Sequence, residues 1–170
     1  MIYWIFDMDD TIYRLKGEFK YQKLKPDPEL GSIISMLPGM KVLFTNGTNG
    51  HTRTVLKSME LNSVFDLILD RNTLGTVKPD PEAFKILIRL CSIKKDDTCY
   101  YFEDSIYNLI IGYSLGWQTI LIGDHTPDFN DKLLKVVIRQ NGILVKKSAT
   151  INYSFRNIKL ALMHFIKRLP

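Results

Sequence analysis

Residues 2–13 read IYWIFDMDDTIY, an uncharged run of β-branched and aromatic side chains that ends on three carboxylates and a threonine. Such a run suits a strand of a parallel sheet covered on both faces, so Ile2–Phe6 is predicted to be a buried strand. The acids then fall at its carboxyl end, the edge at which open parallel α/β sheets leave a crevice for ligands and chemistry. Asp7 and Asp9 are two apart and in a continued strand would share a face, with Asp10 turned away. Two close carboxylates repel unless a proton or a cation lies between them, and no basic residue follows until Arg14. A divalent, oxygen-loving metal is the natural occupant. Taken alone, Asp-Asp-Thr is equally good turn and helix-cap chemistry, so the functional reading depends on what the other strand ends carry.

Working outward, Tyr13 to Leu24 has no helical stripe and suggests a short hairpin or flap beside the acids, with Gly17 near its bend. Leu30 to Leu37 is predicted as a short amphipathic helix stopped by Pro38 and Gly39. Residues 14–38 are thus a flap or minimal cap region of only 25 residues between the first strand and the second. Val42–Phe44 reads as that second strand, ending on Thr45 and Asn46, and a helix from His51 to Met59 follows, capped by Thr48 or Asn49. VFDLILD (64–70) is a third apolar segment, and RNTLGTVKPD (71–80) reads as a loop that carries Lys78. A helix over Pro81–Cys91 leads to a fourth strand, Thr98–Phe102, which also ends on acids, Glu103 and Asp104. Ser105–Leu115 reads as a helix closed by Gly116, and WQTILIG (117–123) as a fifth strand. In the remainder the spacing predicts a helix over 128–139, one or two edge strands within 143–155, and a helix from Phe155 to Arg168. The alternation implies an α/β fold: one domain, 1–170, with a doubly wound, mainly parallel, Rossmann-like sheet and helices on both faces.

Apolar residues make up 45% and charged residues 24% of the 170, ordinary for a globular protein. No apolar run approaches the roughly 20 residues that cross a bilayer, and no basic stretch precedes the first apolar segment, so no membrane partner and a cytoplasmic location are expected. Cys91 and Cys99 fall in a helix and at a strand start, which suits core filling rather than a disulfide or zinc framework. The net charge of +5 is uneven: Lys132 to Pro170 holds nine basic residues and no carboxylate, while the rest has 14 basic and 18 acidic. The basic C-terminal part, 126–170, could bind nucleic acid by releasing counterions, or could be the solvated backing of an amphipathic helix.

Polar groups therefore end four segments: Asp7 and Asp9, Thr45 and Asn46, Lys78, and Glu103 and Asp104. Strands of one parallel sheet end on a common edge, so these residues can converge. Carboxylates for a metal, a hydroxyl and amides for phosphate oxygens, and a lysine for charge are the set that phosphoryl transfer needs. Each group has an ordinary use as well, in a turn, a solvated surface or a helix cap; their joint occurrence at successive strand ends favours a phosphate site.

FDMDDTIY, LFTNG, VKPDPEAF and YYFEDSIYN together resemble, in order, the four motifs of the haloacid dehalogenase-like phosphohydrolases, over residues 1 to about 123. Their wording is similar to the branch that includes pyrimidine 5′-nucleotidases, which carries a helical cap between the first two motifs; 25 residues cannot make one, so a capless or minimally capped core is expected. The resemblance implies Asp7 as nucleophile and Asp9 as general acid and base. It also implies Thr45, Asn46 and Lys78 as phosphate-binding residues, and Mg²⁺ held by Asp7, Asp104 and the backbone carbonyl of Asp9. Glu103 and Asn108 would support the site from behind. A Mg²⁺-dependent phosphomonoesterase acting on a nucleotide or other small phosphate ester is the implied activity, with a phosphoprotein or nucleic-acid end as the larger alternative. Two non-catalytic readings compete: a phosphoacceptor receiver, whose acceptor Asp would follow the third strand at Asp70, and a binding protein without turnover. His51, His125 and His164 are scattered and acquire no role from the sequence.

Overall fold

The computed structural model describes residues 1–15, 18, 20–123 and 151–168. The predicted first strand is β1 (Ile2–Phe6), followed by a single 3-10 turn at Tyr21–Lys23 and by α1 (Pro28–Ser35). Then come β2 (Met40–Phe44), α2 (Asn49–Ser58), β3 (Leu67–Leu69), α3 (Arg71–Leu74), α4 (Pro81–Cys91), β4 (Thr98–Glu103), α5 (Ile106–Ser114), β5 (Gln118–Ile122), β6 (Tyr153–Phe155) and α6 (Ile158–Ile166). The strands lie in the order β3-β2-β1-β4-β5-β6 and every pair is parallel. Going outward from β1, the chain builds β2 and β3 on one side and β4, β5 and β6 on the other. The winding direction therefore changes between β1 and β4, and at that place adjacent connections leave the sheet on opposite faces and open a crevice.

Alternation within β1 sends its side chains into two cores. Trp4 and Phe6 join Leu30 and Ile34 of α1, Val55 and Leu56 of α2, and Leu162 and Phe165 of α6. Tyr3 and Ile5 join Phe84 and Leu87 of α4 and Leu109 of α5. Both faces are thus covered, which explains why β1 carries no charge. Cys91 and Cys99 are buried in the second core and unpaired.

The helix starts follow their capping residues. Asp27 accepts from the Leu30 N–H with Pro28 in the first turn, and Asp80 accepts from the Glu82 N–H ahead of Pro81. Three elements differ from the sequence reading: Phe155, expected to open the last helix, instead ends β6; the described part of the expected hairpin over 13–24 holds a 3-10 turn; and the expected loop over 71–80 opens with the short helix α3, capped by Asp70 and closed by Gly75 at φ 66°. The four residues are too few to show a stripe, and the caps alone define them.

Within the expected flap region, 28–35 is core helix. The bend expected at Gly17 lies outside the described residues, as do the helix expected over 128–139 and residues 143–150 of the segment expected to hold edge strands, whose remainder carries β6. Of the C-terminal basic residues, Lys159 ties α6 to α1 through Asp27 at 2.8 Å and Glu29 at 2.6 Å. Among the described residues no helix is long and apolar enough to cross a membrane.

Gly39 links α1 to β2 at φ +85°, and a Cβ there would lie 2.3 Å from the Ile2 carbonyl oxygen. Gly39→Ala is therefore expected to cost about 2 kcal/mol or more, since the left-handed backbone and a clash with backbone add. Gly75→Ala, equally left-handed but with nothing within 4 Å, should cost only the conformational part. Urea titration of both variants checks the difference; equal losses would contradict it.

Candidate active site

The site is assembled on the ends of the three central strands. β1 ends at Phe6, but the Asp7 N–H still donates to Phe102 O at 2.9 Å, so the β1–β4 ladder fixes the backbone of Asp7 one residue beyond the strand. From the loop before α4 comes Lys78, only 3% exposed. Asn46 positions that loop: its side-chain amide donates to Lys78 O at 2.9 Å and accepts from Lys78 N–H at 2.7 Å. The Lys78 ammonium then spends its three protons on Asp7 Oδ1 at 2.8 Å, Glu103 Oε2 at 2.7 Å and Phe44 O at 2.7 Å.

Glu103 is saturated. Its Oε2 accepts from Lys78, from the Tyr101 hydroxyl at 2.7 Å and from Asn108 at 2.9 Å, while Oε1 accepts from the N–H groups of Asp104 and Ser105. Burial opposes its charge, yet Lys78 and these donors hold it below the ordinary glutamate pKa, so it stays ionised. Its two neighbours behave oppositely. Asp7 is pushed up to about 7 by burial and then by the Glu103 charge, with Lys78 opposing. Asp104 is pushed up to about 8 by burial, by its hydrogen bond with Glu103 and by the surrounding carboxylates.

Carboxylate oxygens of Asp7, Glu103 and Asp104 lie within 4.8 Å of one another. An all-oxygen donor set in which two of the three carboxylates, Asp7 and Asp104, resist ionisation for want of positive charge suits a hard divalent cation such as Mg²⁺. Because the Glu103 lone pairs are already taken, Asp7 and Asp104 are the side chains with capacity to hold it.

Asp9 stands apart from this cluster. The chain leaves the extended conformation after Asp7: Ile12 N–H donates to Met8 O at 2.9 Å, and Asp10 takes φ +57°. Asp7 and Asp9 therefore do not share a face of a continued strand, yet both line one cavity of about 370 Å³. Asp9 Oδ1 accepts from the Tyr13 hydroxyl and lies 2.7 Å from His51 Nε2, and His51 Nδ1 is 2.8 Å from the Tyr21 hydroxyl. Burial and the bond to Asp9 raise the Tyr13 pKa and keep it a donor.

His51, without a role in the sequence reading, is thus a neighbour of Asp9. The signal was present: with Thr48 as N-cap, His51 falls in the first turn of α2, at the carboxyl edge of the sheet. His125 lies outside the described residues, and His164 sits on α6 against Tyr153 and Phe155.

The same cavity is lined by Asn46, Lys78, Asp104, Glu103 and Asn108, so most of the residues named from the sequence come together. Thr45 is fully buried behind it, its Oγ1 accepting from the Gly47 N–H. Asp70 does not line this cavity: its oxygens accept from Thr73 and Asn49 in the cap of α3.

Two outcomes follow. Lys78→Met strands Glu103 and Asp7 without their cation, and should destabilise by about 3 kcal/mol or more in denaturant titration; a loss under about 1 kcal/mol would mean that Lys78 does not hold the acids. Asp7 and Asp104 titrate near 7 and 8 when folded against 3.8 for an ordinary aspartate, so the folded state binds more protons over that window and stability falls as pH rises. Chelator-treated protein should therefore melt higher at about pH 6 than at about pH 8.5, and Mg²⁺ should recover most of the difference at the higher pH. A pH-independent melting temperature in chelator would contradict the strained acid pair.

No curated protein matches the chain. Among solved structures, a dehalogenase matches with a TM-score of 0.60 at 17% identity, over 88% of this chain and 58% of its own. The L-2-haloacid dehalogenase of Xanthobacter autotrophicus with covalently bound chloropropionic acid matches with 0.51 at 13%, over 62% and 43%. A predicted phosphoglycolate phosphatase of Haemophilus somnus 129pt matches with 0.47 at 18%, over 56% and 43%. The chain spans about half the length of these structures. The family model for haloacid dehalogenase-like hydrolases matches residues 14–122. With that match over more than half its length and a six-stranded parallel sheet of the same fold, the chain belongs to the haloacid dehalogenase-like hydrolases.

Proposed function

We propose that this hydrolase is a Mg²⁺-dependent phosphomonoesterase acting on small phosphate esters through an aspartyl-phosphate. The observation that carries it is the pairing of a lysine-anchored Asp7 with a second carboxylate, Asp9, in one cavity. A phosphate ester needs both, because its alkoxide leaving group is a strong base that must be protonated as it departs. Halide, the leaving group of a dehalogenase, departs without a proton, so dehalogenation has no use for Asp9 as a general acid.

In this reading an Asp7 carboxylate oxygen attacks phosphorus as the ester P–O bond breaks, and Asp9 gives its proton to the departing oxygen. Asp9, now a carboxylate, then takes a proton from water as the water oxygen attacks phosphorus, and the bond to Asp7 breaks to release phosphate. Tyr13 and His51 occupy Asp9 Oδ1, which leaves Oδ2 to carry the travelling proton. Lys78 steadies Asp7 and offsets phosphate charge, with Asn46, which lines the cavity, taking a phosphate oxygen. Thr45, expected from the sequence to do the same, is fully buried and instead braces the turn by accepting from the Gly47 N–H. Asp7, Asp104 and the Asp9 carbonyl would hold Mg²⁺, which when bound neutralises charge on the transferring phosphoryl group.

Asp7→Asn removes the attacking oxygen anion and one member of a repulsive cluster. Hydrolysis of p-nitrophenyl phosphate with Mg²⁺ should fall below about one-hundredth of wild type, while the melting temperature holds or rises. A variant that keeps a tenth of the activity would overturn the nucleophile assignment. Release of halide from 2-chloropropionate without phosphatase activity would favour a dehalogenase.

A further inference from the structure

Tyr107, the second residue of α5, is 71% exposed although the next two residues, Asn108 and Leu109, are buried. It lines the cavity beside Asp104 and Ser105, and it is the one aromatic side chain among the described residues that do so. Apart from Pro79, the other lining residues are acids, amides, a serine and the buried lysine. Among the described residues, Tyr107 makes no hydrogen bond, ion pair or ring contact.

The cavity thus has two chemically distinct parts. Its floor, where Lys78 meets the acids, suits a phosphoryl group. Its remaining apolar surface is a tyrosine ring and a proline. Asp9, Asp104 and the exposed Asp10, the last 3.6 Å from Arg14 Nε, line the same opening, so an additional anionic group on the leaving portion would meet an excess of negative charge. An uncharged planar ring would meet an aromatic face whose stacking tolerates many ring types.

We propose that Tyr107 is the stacking platform for the leaving group, and that the preferred substrates are monoesters of planar aromatic alcohols. This deepens the phosphomonoesterase reading and rests on it for the position of the phosphoryl group.

The test compares p-nitrophenyl phosphate with glycerol 2-phosphate for wild type, Tyr107→Ala, Tyr107→Phe and Tyr113→Ala, the last an exposed tyrosine of the same helix outside the cavity. Tyr107→Ala should lower the aryl-to-alkyl ratio of kcat/KM about tenfold, as loss of one stacking contact does, with the change in KM. Tyr107→Phe and Tyr113→Ala should keep the ratio within about twofold. Calorimetric binding of phenylphosphonate and methylphosphonate to the same proteins gives a readout without turnover. Hydrolysis of both esters with a ratio indifferent to Tyr107→Ala overturns the platform and leaves the phosphatase standing. Hydrolysis of neither ester overturns the phosphatase; the platform then stands if phenylphosphonate binding weakens in Tyr107→Ala alone, and falls if it does not.

Discussion

One buried ammonium group holds the centre of this molecule together. Lys78 Nζ meets the residue after β1, the last carbonyl of β2 and the last side chain of β4, so three strands and the loop before α4 are tied to a single nitrogen. Each of its partners would be costly to bury alone. The charge count around it is uneven, with Asp7, Glu103 and Asp104 facing one lysine. Fully ionised, they leave two negative charges uncompensated, which is the charge of one divalent cation.

Two adjacent residues of β4's end show how environment separates like groups. Glu103 has every lone pair occupied and serves as an ionised strut. Asp104, whose backbone N–H is one of those donors, faces the cavity with its own carboxyl short of positive charge. Titratable neighbours pushed in opposite directions mark a division of roles between support and chemistry.

Much of this was legible in the sequence because the chain punctuates itself clearly. Asp80-Pro81 before a periodic run gave α4 its start, and uncharged strands ending on polar residues located the functional edge. What escaped depended on contacts across the fold. The sequence left open whether Asp7 and Asp9 share a face, because alternation alone cannot show that Asp10 adopts a positive φ. α3 was hidden because four residues carry no periodicity. His51 acquires its partner only when the first turn of α2 is set beside the segment after β1, and the supporting role of Glu103 became definite only with Tyr101 and Asn108 in place.

The position of β1 also has a bearing on how the chain is made. Its partner β4 pairs Ile2 with Thr98, so β1, made before the other described strands, waits for nearly a hundred further residues before its second edge is covered. At about 5–20 residues per second that interval is roughly 5 to 20 seconds. Throughout it, an uncharged β-branched and aromatic segment with an open edge is a target for self-association or chaperone capture. The same central placement that gathers the acids beside Lys78 therefore makes the nascent chain, rather than the finished fold, the vulnerable form of this protein.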